Sequence, residues 1–125
     1  MSVATPASSS VSGAEPALDL IHLARQTDGD LELQQELLAL FDRQSASLLA
    51  QSANPVTARR QRAEAAHKLR GSALAVGAGR VARAAAALEA ALGEGAPGVQ
   101  SIEAAVAALG VAVEAARAVL TRLRD

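Results

Sequence analysis

The chain has 125 residues, of which 50% are apolar and one is aromatic, and its formal net charge is −1. This length suits one domain with a hydrophobic core. The apolar residues are mostly Ala, Leu and Val without period-2 alternation, which favours helices over strands. The balanced charge does not indicate binding to nucleic acid or anionic lipid. The absence of cysteine excludes disulfides, thiolate chemistry and cysteine-based zinc sites.

The first 15 residues are rich in Ser, Ala, Gly and Pro and show no periodicity. That composition predicts a flexible tail, followed by a single domain over residues 16–125. The tail has neither the basic nor the apolar region of a secretory signal. No apolar run approaches the ~20 residues of a membrane span. We therefore expect a cytoplasmic protein.

A short first helix is predicted from residue 16 to about residue 25, because a proline suits its first turn. Its apolar residues include Leu18 and Ile21. It also carries His22, which is not surrounded by a constellation of charges and is interpreted as an ordinary helix residue. The sequence TDGD at residues 27–30 is typical of a turn, in which Asp28 or Asp30 can cap the next helix.

The second helix is predicted from residue 31 to about residue 52, with a polar face and a leucine-rich face. The stripe expected to face the core comprises Leu33, Leu37, Phe41 and Leu48, widened by Leu40 and Leu49. Pro55 can open a third helix from about residue 56 to residue 75. The core stripe of that helix comprises Ala66, Leu69, Ala73 and Val76. The run Gly77-Ala78-Gly79 interrupts it.

A fourth helix is predicted over about residues 80–92, with Val81, Leu88 and Leu92 as core residues. The glycine-rich run at 93–98 is the clearest loop. The last helix carries a heptad-like seam made of Ile102, Val106, Leu109, Val113, Ala116, Leu120 and Leu123. Short loops imply antiparallel neighbours. The predicted fold is all-α: an antiparallel up-down four-helix bundle with a short N-terminal capping helix.

The segment with chemical character is AHKLRGSALAVG, residues 66–77. On a helix His67 shares a face with Glu64, Arg70, Gly71 and Leu74, while the core stripe points elsewhere. Neutral imidazole is a nucleophile near pH 7, and Arg70 places a cation one turn away. Glycine inside a helix costs about 1 kcal/mol relative to alanine. Gly71 therefore indicates the close approach of a bulky partner.

These residues resemble the motif of the histidine-containing phosphotransfer (HPt) domain family, approximately H-x-L-K-G-S/A-S/A-x-x-x-G followed by a helix ending in L-E. The matching positions are His67, Leu69, Arg70, Gly71, Ser72, Ala73 and Gly77, then Val81, Leu88 and Glu89. The resemblance extends over about residues 17–123. Arg70 stands where the family usually has lysine, so a planar guanidinium replaces a compact charge. Lys68 is a second candidate for that cation.

The resemblance implies a phosphorelay carrier without kinase or hydrolase machinery of its own. A receiver-domain aspartyl phosphate would give its phosphoryl group to His67, which would pass it to another receiver, with Mg²⁺ on the receiver. The implied partners are response-regulator receiver domains and a (hybrid) histidine kinase, which would dock on the second and third helices around Gly71, Glu64 and Leu74. We expect no cofactor, metal, nucleic acid or membrane on this chain, and a monomer.

Two other functions stay open at this point. A helical adaptor or inhibitor that binds a kinase or receiver without being phosphorylated would share the fold. The phosphoacceptor helix pair of a sensor kinase usually has an acidic residue after the histidine and a proline soon afterwards. Here Lys68 follows His67, and the next proline is Pro97, so that class is disfavoured.

Two neighbouring features also have alternative interpretations. Arg59, Arg60 and Arg62 form either a basic patch for an acidic partner or, more often for such a run, a solvated helix face. Glu64 either hydrogen-bonds the ring of His67 or pairs with Lys68, four residues on.

Overall fold

A computed structural model describes residues 15–93 and 98–124, and the regular structure of those residues is entirely helical. The helices are α1 (Leu20–Gln26), α2 (Leu31–Ala53), α3 (Arg59–Val76), α4 (Gly79–Ala91) and α5 (Val99–Arg124). Each long helix packs on the next, and α5 closes back on α2. The prediction of an all-α up-down four-helix bundle is confirmed. The predicted tail up to residue 14, and residues 94–97 of the predicted loop, lie outside the described residues.

Local capping determines where the first two helices begin. α1 begins at Leu20 rather than at residue 16, because the carboxylate of Asp19 accepts a hydrogen bond from the amide of His22 at 3.0 Å. Of the two candidate caps for α2, Asp30 fills that role and accepts the amide of Leu33 at 3.0 Å.

α3 begins at Arg59, three residues later than predicted. The side chain of Asn54 accepts the amide of Val56 at 2.9 Å, and its carbonyl accepts the amide of Thr57 at 3.2 Å. These bonds hold the chain in a turn, so the proline between them lies in the turn and not in the first turn of the helix.

The core is built from the predicted stripes of α3, α4 and α5 around Phe41, which is almost fully buried. The prediction is wrong for Leu33, Leu40 and Leu123, which are exposed. The two α2 leucines lie at the exposed edge of the predicted stripe, and Leu123 lies in the last turn of α5. Ile21 of α1 is exposed as well, whereas Leu18 and Leu23 are buried.

The turn between α3 and α4 depends on Gly77, which ends α3 with φ +77. A Cβ there would lie 2.7 Å from the carbonyl oxygen of Asp19. The carbonyl of Gly77 in turn accepts the amide of Asp19 at 2.8 Å. Glycine is therefore required both by the left-handed conformation and by the approach of the α1 cap.

Among the described residues, Ser101–Arg124 is long and apolar enough, by length and composition, to cross a membrane. The sequence had not suggested such a segment. Its residues Leu109, Val113 and Leu120 are buried against the bundle, and the core helix of a globular bundle passes the same test. The segment is weak support for a membrane span.

Candidate functional site

His67 lies in the middle of α3, on the side opposite the buried stripe of that helix. Because Ala66, Leu69 and Ala73 turn toward the core, the side chain of His67 is left 65% exposed. Of the residues predicted to share its face, Glu64, Arg70, Gly71 and Leu74 are all exposed.

The ring of His67 is held from the neighbouring helix. Its Nδ1 lies 3.2 Å from both carboxylate oxygens of Glu89 on α4. A carboxylate only accepts hydrogen bonds, so Nδ1 carries the proton and Nε2 has the lone pair of the neutral ring. No residue within 15–93 and 98–124 hydrogen-bonds Nε2. The arrangement leaves the lone pair of Nε2 unengaged on a side chain that is largely exposed.

Glu89 was not predicted as the partner of the ring, although it was one of the positions matching the family motif. The sequence left open whether Glu64 takes that role or pairs with Lys68. In the structure, Glu64 instead lies 4.0 Å from Arg60, one turn before it on α3. The family motif ends in L-E, which corresponds to Leu88 and Glu89 of α4. That match was the one signal in the sequence that could have identified Glu89.

Two grooves flank the site. The α3–α4 groove has a volume of about 730 Å³ and is lined by Arg59, Arg60, Ala63, Glu64, His67, Lys68, Glu89, Leu92 and Gly93. The α2–α3 groove has a volume of about 460 Å³ and is lined by Gln44, Ser47, Leu48, Lys68, Gly71 and Ser72. Lys68 lines both grooves, whereas Arg70 is exposed and lines neither. The Oγ of Ser72 donates to the Oε1 of Gln44 at 3.0 Å and ties α3 to α2 beside Gly71.

Gly71 is not required by the packing of the bundle itself. A Cβ at this position would meet no atom within 4 Å. The site therefore has room for an alanine in the isolated protein. No intramolecular contact of the described residues accounts for this mid-helix glycine.

The arginines at the start of α3 divide into two kinds. Arg59 and Arg60 are exposed and line the α3–α4 groove. Arg62 is buried, and its Nε donates to the carbonyl of Ser52 at 2.9 Å. The interpretation of the whole run as a solvated face is therefore wrong for Arg62, which satisfies one of the last carbonyls of α2.

The other histidine has a different environment. The Nε2 of His22 lies 3.1 Å from the carbonyl oxygen of Leu74, in the last turn of α3. A carbonyl oxygen accepts, so Nε2 is the protonated nitrogen of this ring. His22 thus connects α1 to the end of α3.

A cluster of charges joins α2 to α5 away from both histidines. The carboxylate of Asp42 accepts from the Nε of Arg117 at 2.8 Å and from the Nη2 of Arg124 at 2.6 Å. The hydrogen bond from Arg117 is the main cause that lowers the pKa of Asp42 below its ordinary value of 3.8; burial opposes it, and Arg124 adds to it. Asp42 therefore stays ionised at neutral pH and bridges the two helices.

Comparison with known proteins agrees with this geometry. A family model described as the Hpt domain matches residues 36–125, which include His67 and Glu89 and leave α1 outside. No curated protein and no solved structure matches the chain. Since the family model covers well over half of the residues, the chain belongs to the Hpt domain family.

Proposed function

We propose that the protein is a phosphorelay intermediate that accepts a phosphoryl group on His67 from a receiver-domain aspartyl phosphate. It then passes the group to the aspartate of another receiver in two-component signalling. Membership of the Hpt family supports phosphotransfer in such a system, and a carrier rather than an enzyme. The observation that supports His67 as the acceptor is its exposed ring, held at Nδ1 by Glu89 with Nε2 left open.

The transfer step follows from that tautomer. The lone pair of Nε2 attacks the phosphorus, the P–O bond of the aspartyl phosphate breaks, and the carboxylate leaves with the electron pair. The new P–Nε2 bond leaves the imidazole with positive charge, because Nδ1 keeps its proton. Glu89, 3.2 Å from Nδ1, stabilises that charge. In the return step the next aspartate attacks phosphorus and neutral His67 leaves.

Two cations can support the phosphoryl oxygens. Lys68 lines the grooves on both sides of the α3 surface that carries His67, and Arg70 lies one turn further on. We propose that both reduce repulsion between the phosphoryl group and the incoming carboxylate. Replacing either with alanine is expected to slow transfer or to change the lifetime of the phosphohistidine.

The remaining chemistry is assigned to the partner. We propose that Mg²⁺ is held by the receiver domain, which supplies most of the charge stabilisation. This chain contributes the nucleophile, the cations and a surface of α2 and α3 on which Gly71, Glu64 and Leu74 meet the partner. We propose that it works in the cytoplasm as a monomer, with receiver domains and a (hybrid) histidine kinase as partners.

The test is phosphoryl transfer from a panel of radiolabelled, phosphorylated receiver domains to the wild type, His67→Gln and His22→Gln. We expect acid-labile label on the wild type and on His22→Gln, and none on His67→Gln. His22→Gln is the matched control because its amide can still bind the Leu74 carbonyl. If none of the three is labelled, and circular dichroism shows that all are folded, the carrier function is refuted in favour of an adaptor that is not phosphorylated.

A further inference from the structure

A separate cavity lies where the turn between α2 and α3 meets the beginning of α5. Its volume is about 380 Å³, which is within the range of about 300–1,000 Å³ that is usual for small-molecule sites. His67 does not line this cavity, and the proposed phosphotransfer does not use it. The polar and apolar residues around it therefore need an explanation of their own.

Arg62 is the buried charge in the lining of this cavity. Only 7% of the residue is exposed, and its Nε donates to the carbonyl of Ser52 at 2.9 Å. The two Nη groups of the guanidinium hydrogen-bond no group that the structure describes. Burying a cation with so few acceptors costs free energy. An anion in the cavity would offset that cost.

The beginning of α3 adds further positive potential at the same place. The N-cap residue is Ala58, which has no side-chain acceptor for the amides of the first turn. Such amides favour a negative charge nearby. Arg59, the first residue of α3, is exposed and also lines the cavity. A buried guanidinium, an exposed one and an uncapped helix start therefore all favour an anion here.

Much of the remaining lining is apolar. Val99, Ile102 and Val106 of α5 contribute to it, together with Pro55 of the turn between α2 and α3. Glu103 is the one carboxylate in the lining; it is exposed and forms no ion pair with the described residues. Two arginines against one glutamate leave the lining with a net charge of +1. The cavity thus combines a positive charge with a hydrocarbon surface.

We propose that this cavity binds a small aliphatic carboxylate, which pairs with the guanidinium of Arg62 and lays its hydrocarbon chain against Ile102 and Val106. The planar guanidinium matches a carboxylate in geometry. The apolar lining favours an organic acid over inorganic phosphate, which would gain nothing from contact with hydrocarbon. Arg59 adds attraction from the rim, and Glu103 opposes binding. The proposal goes beyond the proposed function, because it requires neither phosphorylation nor a receiver.

The experiment titrates the full chain with hexanoate at neutral pH and follows the backbone amides and the Nε–H of Arg62 by NMR. Hexanamide has a similar chain without the charge, and inorganic phosphate has charge without the chain. The variants are Arg62→Lys, Arg59→Gln and Glu103→Gln. The matched controls are Arg122→Gln and Glu114→Gln, at exposed positions of α5 that do not line the cavity.

We expect hexanoate to bind with a millimolar Kd, and both hexanamide and phosphate to bind at least about tenfold more weakly. Arg62→Lys should weaken hexanoate binding about tenfold, because an ammonium group lacks the planar fork. Arg59→Gln should weaken it about threefold, and Glu103→Gln should strengthen it about twofold, because they remove an attractive and a repulsive charge.

The exposed positions Arg59 and Glu103 keep the test decisive even if Arg62→Lys lowers the stability of the fold. The proposal is refuted if hexanoate shows no saturable binding, or if hexanamide or phosphate binds as tightly. It is equally refuted if the shifted signals lie away from the cavity. A Kd that changes no more in Arg59→Gln and Glu103→Gln than in Arg122→Gln and Glu114→Gln would also refute it.

Discussion

The two histidines of this protein lie on neighbouring helices, and in each the ring makes a hydrogen bond to another helix. They differ in which nitrogen is engaged. His22 uses Nε2, the nitrogen farther from the backbone, to bind the carbonyl of Leu74 at 3.1 Å. His67 uses Nδ1, the nearer nitrogen, to bind Glu89 at 3.2 Å. The outer nitrogen of His22 is thus occupied, while the outer nitrogen of His67 is open.

The partner differs as well as the nitrogen. A backbone carbonyl only fixes the orientation of the His22 ring, whereas the carboxylate of Glu89 can also stabilise a positive charge on the ring of His67. The comparison teaches that the two rings differ in which nitrogen stays open. Under the proposed function, α4 takes the inner nitrogen of His67 and leaves the outer one to the partner.

Removing Glu89 is the most direct way to break this comparison. Glu89→Ala should lower the rate of transfer at saturating receiver by about 10- to 100-fold, because both the tautomer and the charge stabilisation are lost, a change of about 1.4–2.7 kcal/mol in the barrier. The transfer rate of Glu89→Gln should fall between those of the wild type and Glu89→Ala, because the amide oxygen of Gln still accepts a hydrogen bond from Nδ1. The control is Glu114→Ala, an exposed carboxylate on α5. Transfer by Glu89→Ala at the wild-type rate would show that the contact is not used.

Substitutions at Gly71 test whether the partner needs unobstructed access to the Nε2 of His67. Gly71→Ala should slow transfer about tenfold, and Gly71→Gln more, because the added side chain separates the two proteins. The same alanine should raise the free energy of unfolding by about 0.5–1 kcal/mol, since the Cβ meets no atom within 4 Å and glycine is a poor helix former.

Gly110 on α5 provides a matched control for that prediction. A Cβ there also meets nothing within 4 Å, so Gly110→Ala should stabilise the fold by a similar amount without slowing transfer. Equal slowing in both variants, measured by urea unfolding and transfer kinetics side by side, would mean that helix stiffness and not docking explains Gly71.

The other side of the comparison is tested at His22. His22→Ala should lower the free energy of unfolding by about 1 kcal/mol through loss of the hydrogen bond to Leu74. His22→Gln should recover most of it. Transfer normalised to folded protein should stay at the wild-type rate in both. A loss of transfer in folded His22→Gln would assign this histidine to the site.

Asp42 offers an ionic contact remote from both histidines. Because Arg117 and Arg124 lower its pKa in the folded state, its contribution is present above the unfolded pKa, near 3.8, and is lost as pH falls through the lower folded value. Asp42→Asn should cost about 0.5–1 kcal/mol at pH 7 and less as the pH falls below about 4. Urea unfolding from pH 2 to 7 checks this, with Glu103→Gln as control. A constant difference at every pH would contradict it.

Much of the bundle could be predicted from the sequence because its main signals are local. The spacing of Ala66, Leu69, Ala73 and Val76 specifies which side of α3 is buried, and therefore that His67 is exposed. The αL end at Gly77 and the cap at Asp30 are also local. The features that depend on how the helices pack against one another were not predicted.

Glu89 is 22 residues from His67, and only the packing of α4 against α3 brings the two together. Leu40 has the spacing of a core residue but is exposed in the bundle. Arg62 looks like a surface cation by type and is buried because the end of α2 needs a donor. In each case the periodicity of the sequence predicts which face of its own helix a residue lies on. Only the packing of the helices determines which residues that face contacts.

The attachment of α1 has a consequence for the dynamics of the domain. This seven-residue helix is held by the Asp19–Gly77 backbone bond, the His22–Leu74 contact and the burial of Leu23, and the family match begins only after it. A helix so short is not stable by itself. We expect it to open as a separate cooperative unit, so that hydrogen exchange at the amides of Leu23 to Gln26 outpaces exchange in α3, which stays folded.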